Sequence, residues 1–459
     1  MNVSRLMRGV SAVLVALGLV TGAVSTASAE GFAISTLSAR GGAFGGGAAS
    51  GMVARADDAS AVAYNPAGLT QVPGTQVMAG LAAVALNLDV ESHDTDHWMS
   101  NSHQVWPIPH AYVSHQLNDK VWLGLGMFTR WGLGHSYPDG WASSDIAKNP
   151  SAFPVGGSAL KSITMLTSTI NPTVAYKLND VWSIAAGVSY TWGYLSLNNQ
   201  IYGGKGLEQQ MRIPAGTHLS DVRIHSENGR SFGYNLALHA KFNEQWSAGL
   251  TYRSHERMKF NGSARVRSNG NGIVGSMDMG EVIAAGGGLY NSRGKATLVL
   301  PDVITLGVAY KPTERLSFEA DAAYTVWSRW RNLQVDLFGP NPGNPQGISQ
   351  QKNWRDTWAL SFSTEYWALD WLALRAGVLY ETSPLNGEEY NDYYIPTNGR
   401  LQFATGFGLK YENWTLDFAY IYMLEREVNL KAGGTGGTIN GKFGNGYDHT
   451  FALTLGYKF

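Results

Sequence analysis

After residue 74, large apolar residues alternate with small or polar ones in many separate segments. In residues 182–192 the even-numbered positions are mostly large and apolar, whereas the odd-numbered positions are Ser, Ala, Gly or Thr. The same pattern occurs in residues 316–326, 358–366, 372–380 and 414–422. A period of two is typical of a strand with one apolar face. Trp182 at one end, with Tyr190 and Trp192 at the other, matches the two aromatic girdles of a membrane-spanning strand.

The connections between these segments indicate how the strands cross the membrane. About fourteen strands are present, within the usual range for outer-membrane barrels. Three of them are expected at residues 246–266, 297–311 and 316–337. Short polar turns, such as residues 118–120 and 179–180, alternate strictly with long segments that include residues 130–160, 199–230 and 267–293. This alternation predicts short periplasmic turns and long extracellular loops.

Residues 30–74 differ from the rest because they are rich in Gly and Ala and lack alternation. They include the run Asn65-Pro66-Ala67-Gly68-Leu69. A barrel of this size would otherwise be an open pore. The predicted fold is therefore all-β: an antiparallel transmembrane β-barrel of about fourteen strands, residues 75–459, with an N-terminal plug (hatch), residues 30–74, in its lumen.

Residues 1–29 have the three parts of a secretory signal peptide. Arg5 and Arg8 form the charged start, residues 10–20 form the apolar part, and Ala27-Ser28-Ala29 matches a cleavage site. We therefore expect export with cleavage after Ala29. The last strand alternates up to Phe459 and resembles the C-terminal signal that the outer-membrane assembly machinery reads. The predicted location is the bacterial outer membrane.

Composition excludes several classes of function. The chain has 459 residues and no cysteine, so disulfides and thiolate metal sites are excluded. A formal net charge of −1 gives no reason to expect nucleic acid as a partner. The spacing of His93, His97 and His103 fits no compact metal site, and no Gly-x-Ser-x-Gly element supports a hydrolase. We expect no enzyme activity, no cofactor and no metal.

Alternation assigns several charged side chains to the lumen, because a charge facing lipid costs about 2–4 kcal/mol at the midplane. These are Glu319, Asp321, Arg355, Glu365, Arg375, Glu381 and Asp417. One hypothesis is that they hold the hatch by pairing with Arg40, Arg55, Asp57 and Asp58. The alternative is a solvated pore lining.

The predicted strand at residues 121–129 carries Gly124 and Gly126 on its inner face, beside Phe128 and followed by Trp131 and Gly132. Glycine weakens a strand and marks bulges or close approaches. One interpretation is a kink that opens the wall laterally. The other is that the glycines make room for the hatch.

The predicted loop at residues 267–293 is unusually apolar for an exposed segment. The residues concerned are Ile273, Val274, Met277, Met279, Val282 and Ile283. They are candidates for capture of an apolar substrate. The alternative is packing of one loop on another.

Taken together, several motifs resemble the FadL/TodX family of outer-membrane transporters for hydrophobic compounds. They are the hatch runs at residues 56–60 and 65–69, residues 128–133 with 137–141, residues 300–310 with 327–329, and residues 353–357 with 374–378 and 383–384. The resemblance spans nearly all of the mature chain. It implies capture by extracellular loops and lateral release through the wall, while the hatch blocks the straight route.

The function expected from this resemblance is passive uptake of long-chain fatty acids or similar hydrophobic molecules by a monomer. An aromatic-hydrocarbon channel of the same family is one alternative, and a general porin or an adhesin is another from a different class. The expected partners are a hydrophobic small molecule, outer-membrane lipid and lipopolysaccharide, and the barrel assembly machinery.

Overall fold

A computed structural model describes residues 33–459 apart from residues 35, 48, 97, 102–103, 149–155, 287–288, 290, 340–345 and 431–439. The proposed signal peptide therefore lies outside the described residues. Within them, no helix is both long and apolar enough to span a membrane.

The wall is a closed antiparallel barrel of 14 strands, as predicted. Each strand pairs with its neighbours in sequence, and the first strand pairs with the last from Gln76↔Lys458 to Ser92↔Gly441. Some wall strands are divided into two segments, so the sheet contains more strand segments than it has crossings.

The strand segments are β1 Thr75–Ser92, β2 Trp98–Ser100, β3 Val105–Gln116, β4 Val121–Phe128, β5 Gly132–Ser136, β6 Gly156–Lys177, β7 Trp182–Gly203, β8 His218–Lys241, β9 Trp246–Arg253, β10 Glu256–Ser268, β11 Ile273–Val274, β12 Met277–Asp278, β13 Ser292–Leu300, β14 Val303–Thr313, β15 Leu316–Thr325, β16 Asn332–Phe338, β17 Gln346–Gln351, β18 Thr357–Leu369, β19 Leu372–Glu381, β20 Arg400–Tyr411, β21 Trp414–Glu425, β22 Val428–Leu430 and β23 Gly441–Lys458. The α-helices are α1 Ala39–Ala43, α2 Ser143–Lys148, α3 Lys205–Met211 and α4 Met279–Gly286. The 3-10 helices are Ala59–Val62, Pro66–Gln71, Trp327–Arg329 and Glu388–Tyr390.

Asparagine side chains close three of the short turns in the same way. The Oδ1 of Asn118, Asn179 and Asn243 each accepts backbone N–H groups two and three residues further along the chain. Such Asx turns compete well with extended backbone. The repeated motif ends one wall strand and starts the next within a few residues.

Interruptions divide each of the strands predicted at residues 246–266, 297–311 and 316–337. Ser254 and His255 separate β9 from β10, and Pro301 with Asp302 separates β13 from β14. The 3-10 helix Trp327–Arg329 separates β15 from β16. Proline has no N–H for a ladder, and Asp302 instead accepts bonds from the Tyr252 hydroxyl at 2.8 Å and the His255 N–H at 3.0 Å. Each interruption bends its wall strand, and the strand continues beyond the bend.

The predicted loop at residues 199–230 is much shorter in the structure. β7 continues to Gly203 and β8 begins at His218, so most of this segment is strand. Alternation continues beyond the apolar belt because the upper strands still have one buried face, which carries Leu197, Val222 and Ile224. The wall therefore extends above the membrane.

Residues 33–74 precede the wall and lie against its inner surface. Helix α1 contacts β20, β21 and β23, whereas the 3-10 helices Ala59–Val62 and Pro66–Gln71 contact β3, β4 and β6. Most side chains of this segment are buried. We call residues 33–74 the hatch segment from here on.

Candidate functional site

Three side chains fix the local conformation of the hatch segment. Ser38 caps helix α1 by accepting the Gly41 N–H at 3.2 Å. Asp58 caps the first 3-10 helix through Ser60 N, and Asn65 caps the second through Ala67 N. Such caps satisfy N–H groups that a helix start leaves free. The hatch segment is thus ordered by its own sequence as well as by the wall.

Glu319 of β15 makes several contacts with the hatch segment. Its carboxylate accepts the backbone N–H groups of Val53 at 2.8 Å, Ala54 at 2.7 Å and Arg55 at 2.9 Å. The Arg55 guanidinium lies 3.5 Å from the same carboxylate. On the same strand, Asp321 accepts the Gly51 N–H at 2.5 Å. Hydrogen bonds to a charged acceptor are the strong ones, so the three bonds to Glu319 hold this loop firmly.

A network of ion pairs joins the hatch segment to β18, β19 and β21. Arg40 contacts Asp57 at 2.5 Å, Asp58 at 3.1 Å and Glu365 at 3.1 Å. Glu365 in turn accepts from Arg375 at 2.7 Å. Because Arg40 and Glu365 are largely buried, removal of either would leave its partner charged without compensation.

The other charged side chains that alternation assigns to the lumen do lie there, with one exception. Arg375 also contacts Asp417 at 2.6 Å, and both side chains are buried in the lumen. Glu381 pairs with Arg400 at 2.9 Å, again in the lumen. Arg355, expected in the lumen, is instead exposed, and its Nε donates to the Ser383 carbonyl at 3.0 Å. The expectation failed because Arg355 precedes β18, where alternation has not yet begun.

The run Asn65-Pro66-Ala67 lies buried where the hatch segment meets β8. The Asn65 side-chain amide donates to the carbonyl of Val53 at 2.7 Å and to that of Leu238 at 3.1 Å. Pro66 occupies the start of the 3-10 helix, where its missing N–H costs nothing. One side chain therefore ties two parts of the hatch segment to the wall.

Gly124 and Gly126 face the hatch segment. A Cβ at Gly124 would lie 2.7 Å from the side chains of both Leu69 and Val62, and one at Gly126 would lie 2.9 Å from Val62. The two glycines therefore allow the 3-10 helices to approach β4 closely. This geometry agrees with the second of the two interpretations of these glycines, room for the hatch.

The wall is interrupted just beyond these glycines. The ladder between β3 and β4 ends at Ala111↔Met127. Further up, β5 pairs with β6, and residues 105–110 of β3 pair with β1. Among the described residues no ladder joins β3 to β5. Side-chain alternation does not predict this gap, but Pro107 and Pro109 signal it, because they have no N–H and proline in a strand indicates an unpaired edge.

The segment between β4 and β5 turns inward to meet the start of the hatch segment. Ala33 forms an isolated bridge with Trp131, and the Ile34 N–H donates to the Arg130 carbonyl at 2.9 Å. Phe128, the last residue of β4, is buried against Tyr112. Gly132 then starts β5. The interruption and the hatch segment are therefore in direct contact.

Aromatic side chains fill the lumen beside this interruption. Trp131 contacts Trp327 with ring centroids 5.7 Å apart, and Trp354 contacts both Trp327 at 5.0 Å and Trp330 at 4.7 Å. All four belong to one large buried apolar cluster that runs up to the extracellular loops. The upper lumen is thus apolar, in contrast to the charged contacts around Glu319 and Arg40.

The apolar loop residues divide into two groups. Ile273 and Met277 lie in the small β11–β12 ribbon and are 60% and 54% exposed, and Val282 on α4 is 48% exposed. Met279 is buried, and Val274 and Ile283 pack partly against the same small cluster under α3 and α4. Loop packing therefore accounts for three of the six residues, and the other three are exposed.

A buried ion pair fastens another extracellular loop. Lys352 contacts Asp392, with both side chains fully buried, and Asp392 also accepts the N–H groups of Tyr394 and Ile395. Burial lowers the pKa of Lys352 below its usual range, while the charge of Asp392 opposes that shift. The pair anchors the loop above the aromatic cluster.

No group of three or more potential metal ligands is found within the described ranges. Two of the three histidines considered above, His97 and His103, lie outside those ranges.

Comparison with known proteins agrees with this architecture. The family model for the outer membrane protein transport protein (OMPP1/FadL/TodX) matches residues 20–459. A long-chain fatty acid transport protein of Escherichia coli O6:H1 is 25% identical over 440 residues, covering 92% of each chain.

Two solved structures share the fold. The crystal structure of a Pseudomonas aeruginosa FadL homologue has a TM-score of 0.75 at 19% identity, covering 93% of this chain and 99% of that one. The Pseudomonas putida toluene transporter TodX has a TM-score of 0.67 at 17% identity, covering 94% and 100%. The chain belongs to the outer membrane protein transport protein (OMPP1/FadL/TodX) family and is an outer-membrane transport protein rather than an enzyme.

Proposed function

We propose that this protein takes up long-chain fatty acids by passive diffusion and releases them sideways through its wall. The observation that carries the proposal is the missing ladder between β3 and β5 beside a buried aromatic cluster. Backbone groups without partners cannot face lipid, so such an interruption needs a reason. A sideways outlet for an apolar molecule supplies one.

The extracellular end supports capture from the medium. The exposed side chains of Ile273, Met277 and Val282 offer apolar surface in an extracellular loop. From there an acyl chain would meet the aromatic cluster around Trp327 and Trp354. The proposed path therefore starts at apolar loop residues and continues beside the aromatic cluster.

The hatch segment supports closure of the straight route. It spans the lumen from β4 to β21 and is held by Glu319, Asp321 and Glu365. An ion or a sugar entering from outside would meet this polar network. A general porin is therefore disfavoured.

Arg130 supports a fatty acid over an uncharged hydrocarbon. It lies at the interruption with its guanidinium 5.1 Å from the Trp131 ring. Among the described residues this guanidinium makes no direct hydrogen bond or ion pair, although the Glu256 carboxylate is near enough for its charge to act on Arg130. The guanidinium can therefore bind a substrate carboxylate directly. The E. coli relative is named a long-chain fatty acid transport protein, which agrees with this substrate class.

The test is uptake of labelled oleate and of labelled toluene by cells that lack their own transporter and express this chain. We expect oleate uptake to depend on the protein. Arg130→Met should reduce it about tenfold, as loss of a charge-assisted hydrogen bond predicts, and leave any toluene uptake unchanged. Equal loss of both substrates would contradict the carboxylate role, and toluene uptake without oleate uptake would favour the aromatic-hydrocarbon alternative.

A further inference from the structure

The upper wall carries a strongly basic outward face on β8, β10 and β13. The residues that alternate with this face along the strands, such as Met258, Phe260 and Leu298, are buried in the apolar cluster. Alternation therefore points the intervening side chains outward, and they are exposed. We call this set the basic wall patch: Arg223, Arg230, Arg257, Lys259, Arg265, Arg267, Arg293 and Lys295.

The strand register sets like charges directly against one another in this patch. Lys259 lies opposite Arg230, and Arg265 lies opposite Arg223. Like charges directly opposite on neighbouring strands destabilise a sheet. The chain as a whole is not basic, with 34 Lys and Arg against 35 Asp and Glu, so the patch is a local concentration of charge.

The carboxylates nearest this patch neutralise it only in part: the strand register places Asp221 opposite Arg267 and Asp336 opposite Lys295. Asp221 pairs with His218 at 3.1 Å, and Glu227 pairs with His225 at 3.1 Å. Within the described ranges, none of the eight cations of the basic wall patch forms an ion pair with a carboxylate. On the opposite wall, by contrast, Lys442 pairs with Glu91 at 3.2 Å. This face therefore keeps an excess of positive charge, which anions from outside the protein would balance.

The height of the patch identifies where those anions lie. Phe232, 76% exposed, and Tyr234 mark the upper edge of the apolar belt on β8. Arg230 follows two residues further up, about 7 Å along the strand. The periplasmic turn at Glu244 lies at the other end of β8. The basic wall patch thus begins at the headgroup level of the outer leaflet.

We infer that the basic wall patch binds the phosphate groups of lipopolysaccharide. Arg and Lys bind phosphate oxygens through charge-assisted hydrogen bonds, and facing pairs of cations suit a multiply phosphorylated glycolipid. Phe232 and Tyr234 would contact the acyl chains beneath. The inference goes beyond uptake, because the patch faces away from the lumen.

The experiment replaces four cations of the patch together, by Arg230→Gln, Lys259→Gln, Arg265→Gln and Arg293→Gln. Barrels are purified from outer membranes in mild detergent, and the lipopolysaccharide bound per barrel is counted by native mass spectrometry. Because each cation near a charged surface adds to the attraction for anionic lipid, we expect at least a tenfold loss of bound lipopolysaccharide. Heat-modifiable migration verifies that the variant is folded.

A matched control removes four cations from the periplasmic end, by Lys177→Gln, Lys241→Gln, Arg315→Gln and Lys410→Gln. This variant loses the same charge and should retain lipopolysaccharide at the wild-type level. Equal retention in the patch variant and the control would overturn the inference.

A charge-conserving variant, Arg230→Lys, Arg265→Lys and Arg293→Lys, separates loss of charge from loss of fold. It should retain most of the bound lipopolysaccharide. In a competition arm, purified barrels are mixed with diphosphoryl lipid A and an excess of phosphatidylglycerol. Displacement of lipid A by phosphatidylglycerol at equal charge would also overturn the inference.

Discussion

At the scale of single residues, the interior is organised by acceptors for backbone N–H groups. Glu319 accepts three of them and Asp321 a fourth, all from residues 51–55 of the hatch segment. Side-chain alternation predicts that both carboxylates face the lumen. Their backbone partners could not be predicted, because they depend on the irregular conformation of residues 51–55, for which the sequence has no periodic signal.

We predict that Glu319→Ala loosens the hatch segment. Each buried N–H group left without an acceptor costs about 1–3 kcal/mol, so three of them outweigh most other contacts of residues 51–55. Protease cleavage within residues 33–74 of the folded barrel should become faster by an order of magnitude or more. Ser361→Ala, a buried change on neighbouring β18 whose hydroxyl makes no hydrogen bond within the described ranges, is the control and should leave cleavage unchanged. Unchanged cleavage in Glu319→Ala would show that the carboxylate is dispensable.

At the scale of elements, β4 and β5 lie both against the hatch segment and beside the interruption of the wall. The sequence indicates these two features only in part. The glycines of β4 are visible in the sequence, and they allow the 3-10 helices to approach. The interruption lies a few residues later, where β3 contains Pro107 and Pro109. Alternation locates strands well but says nothing about which edges stay unpaired. Proline positions carry that information, because proline removes a ladder donor.

We predict that Gly124→Trp displaces the hatch segment instead of filling the interruption. Even a Cβ at this position would lie 2.7 Å from Val62 and Leu69, so an indole has no room. Ion conductance of the reconstituted barrel should rise severalfold as the 3-10 helices are pushed aside. Leu125→Trp places the same side chain on the lipid-facing side of the same strand and should leave conductance unchanged. Normal conductance in Gly124→Trp, together with lost uptake, would instead favour an exit at the glycines.

At the scale of the whole molecule, two routes lead away from the aromatic cluster. One runs sideways between β3 and β5, and the other runs down through the hatch segment to a periplasmic vestibule lined by Arg40, Asp57 and Asp58. The downward route requires the hatch segment to move. The sideways route requires movement only near Ala33 and Ile34, which touch the interruption. The downward route therefore requires helix α1 to move, whereas the sideways route does not.

Locking helix α1 to the wall separates the two routes. The chain has no cysteine, and a Cβ at Gly42 would lie 3.4 Å from the Cβ of Ala419, close to the usual separation in a disulfide. The Thr36 hydroxyl, 2.7 Å from that Cβ, must turn away, and the single Gly42→Cys variant measures the effect of this shift. We predict that Gly42→Cys with Ala419→Cys forms this bond on export, and that uptake of oleate stays within about twofold of the wild type, since a disulfide restrains only the segments that it joins. Each single cysteine variant controls for the substitution itself, and reduction of the double variant controls for the bond. If the oxidised double variant loses uptake and reduction restores it, the substrate leaves through the hatch segment and the sideways route is wrong.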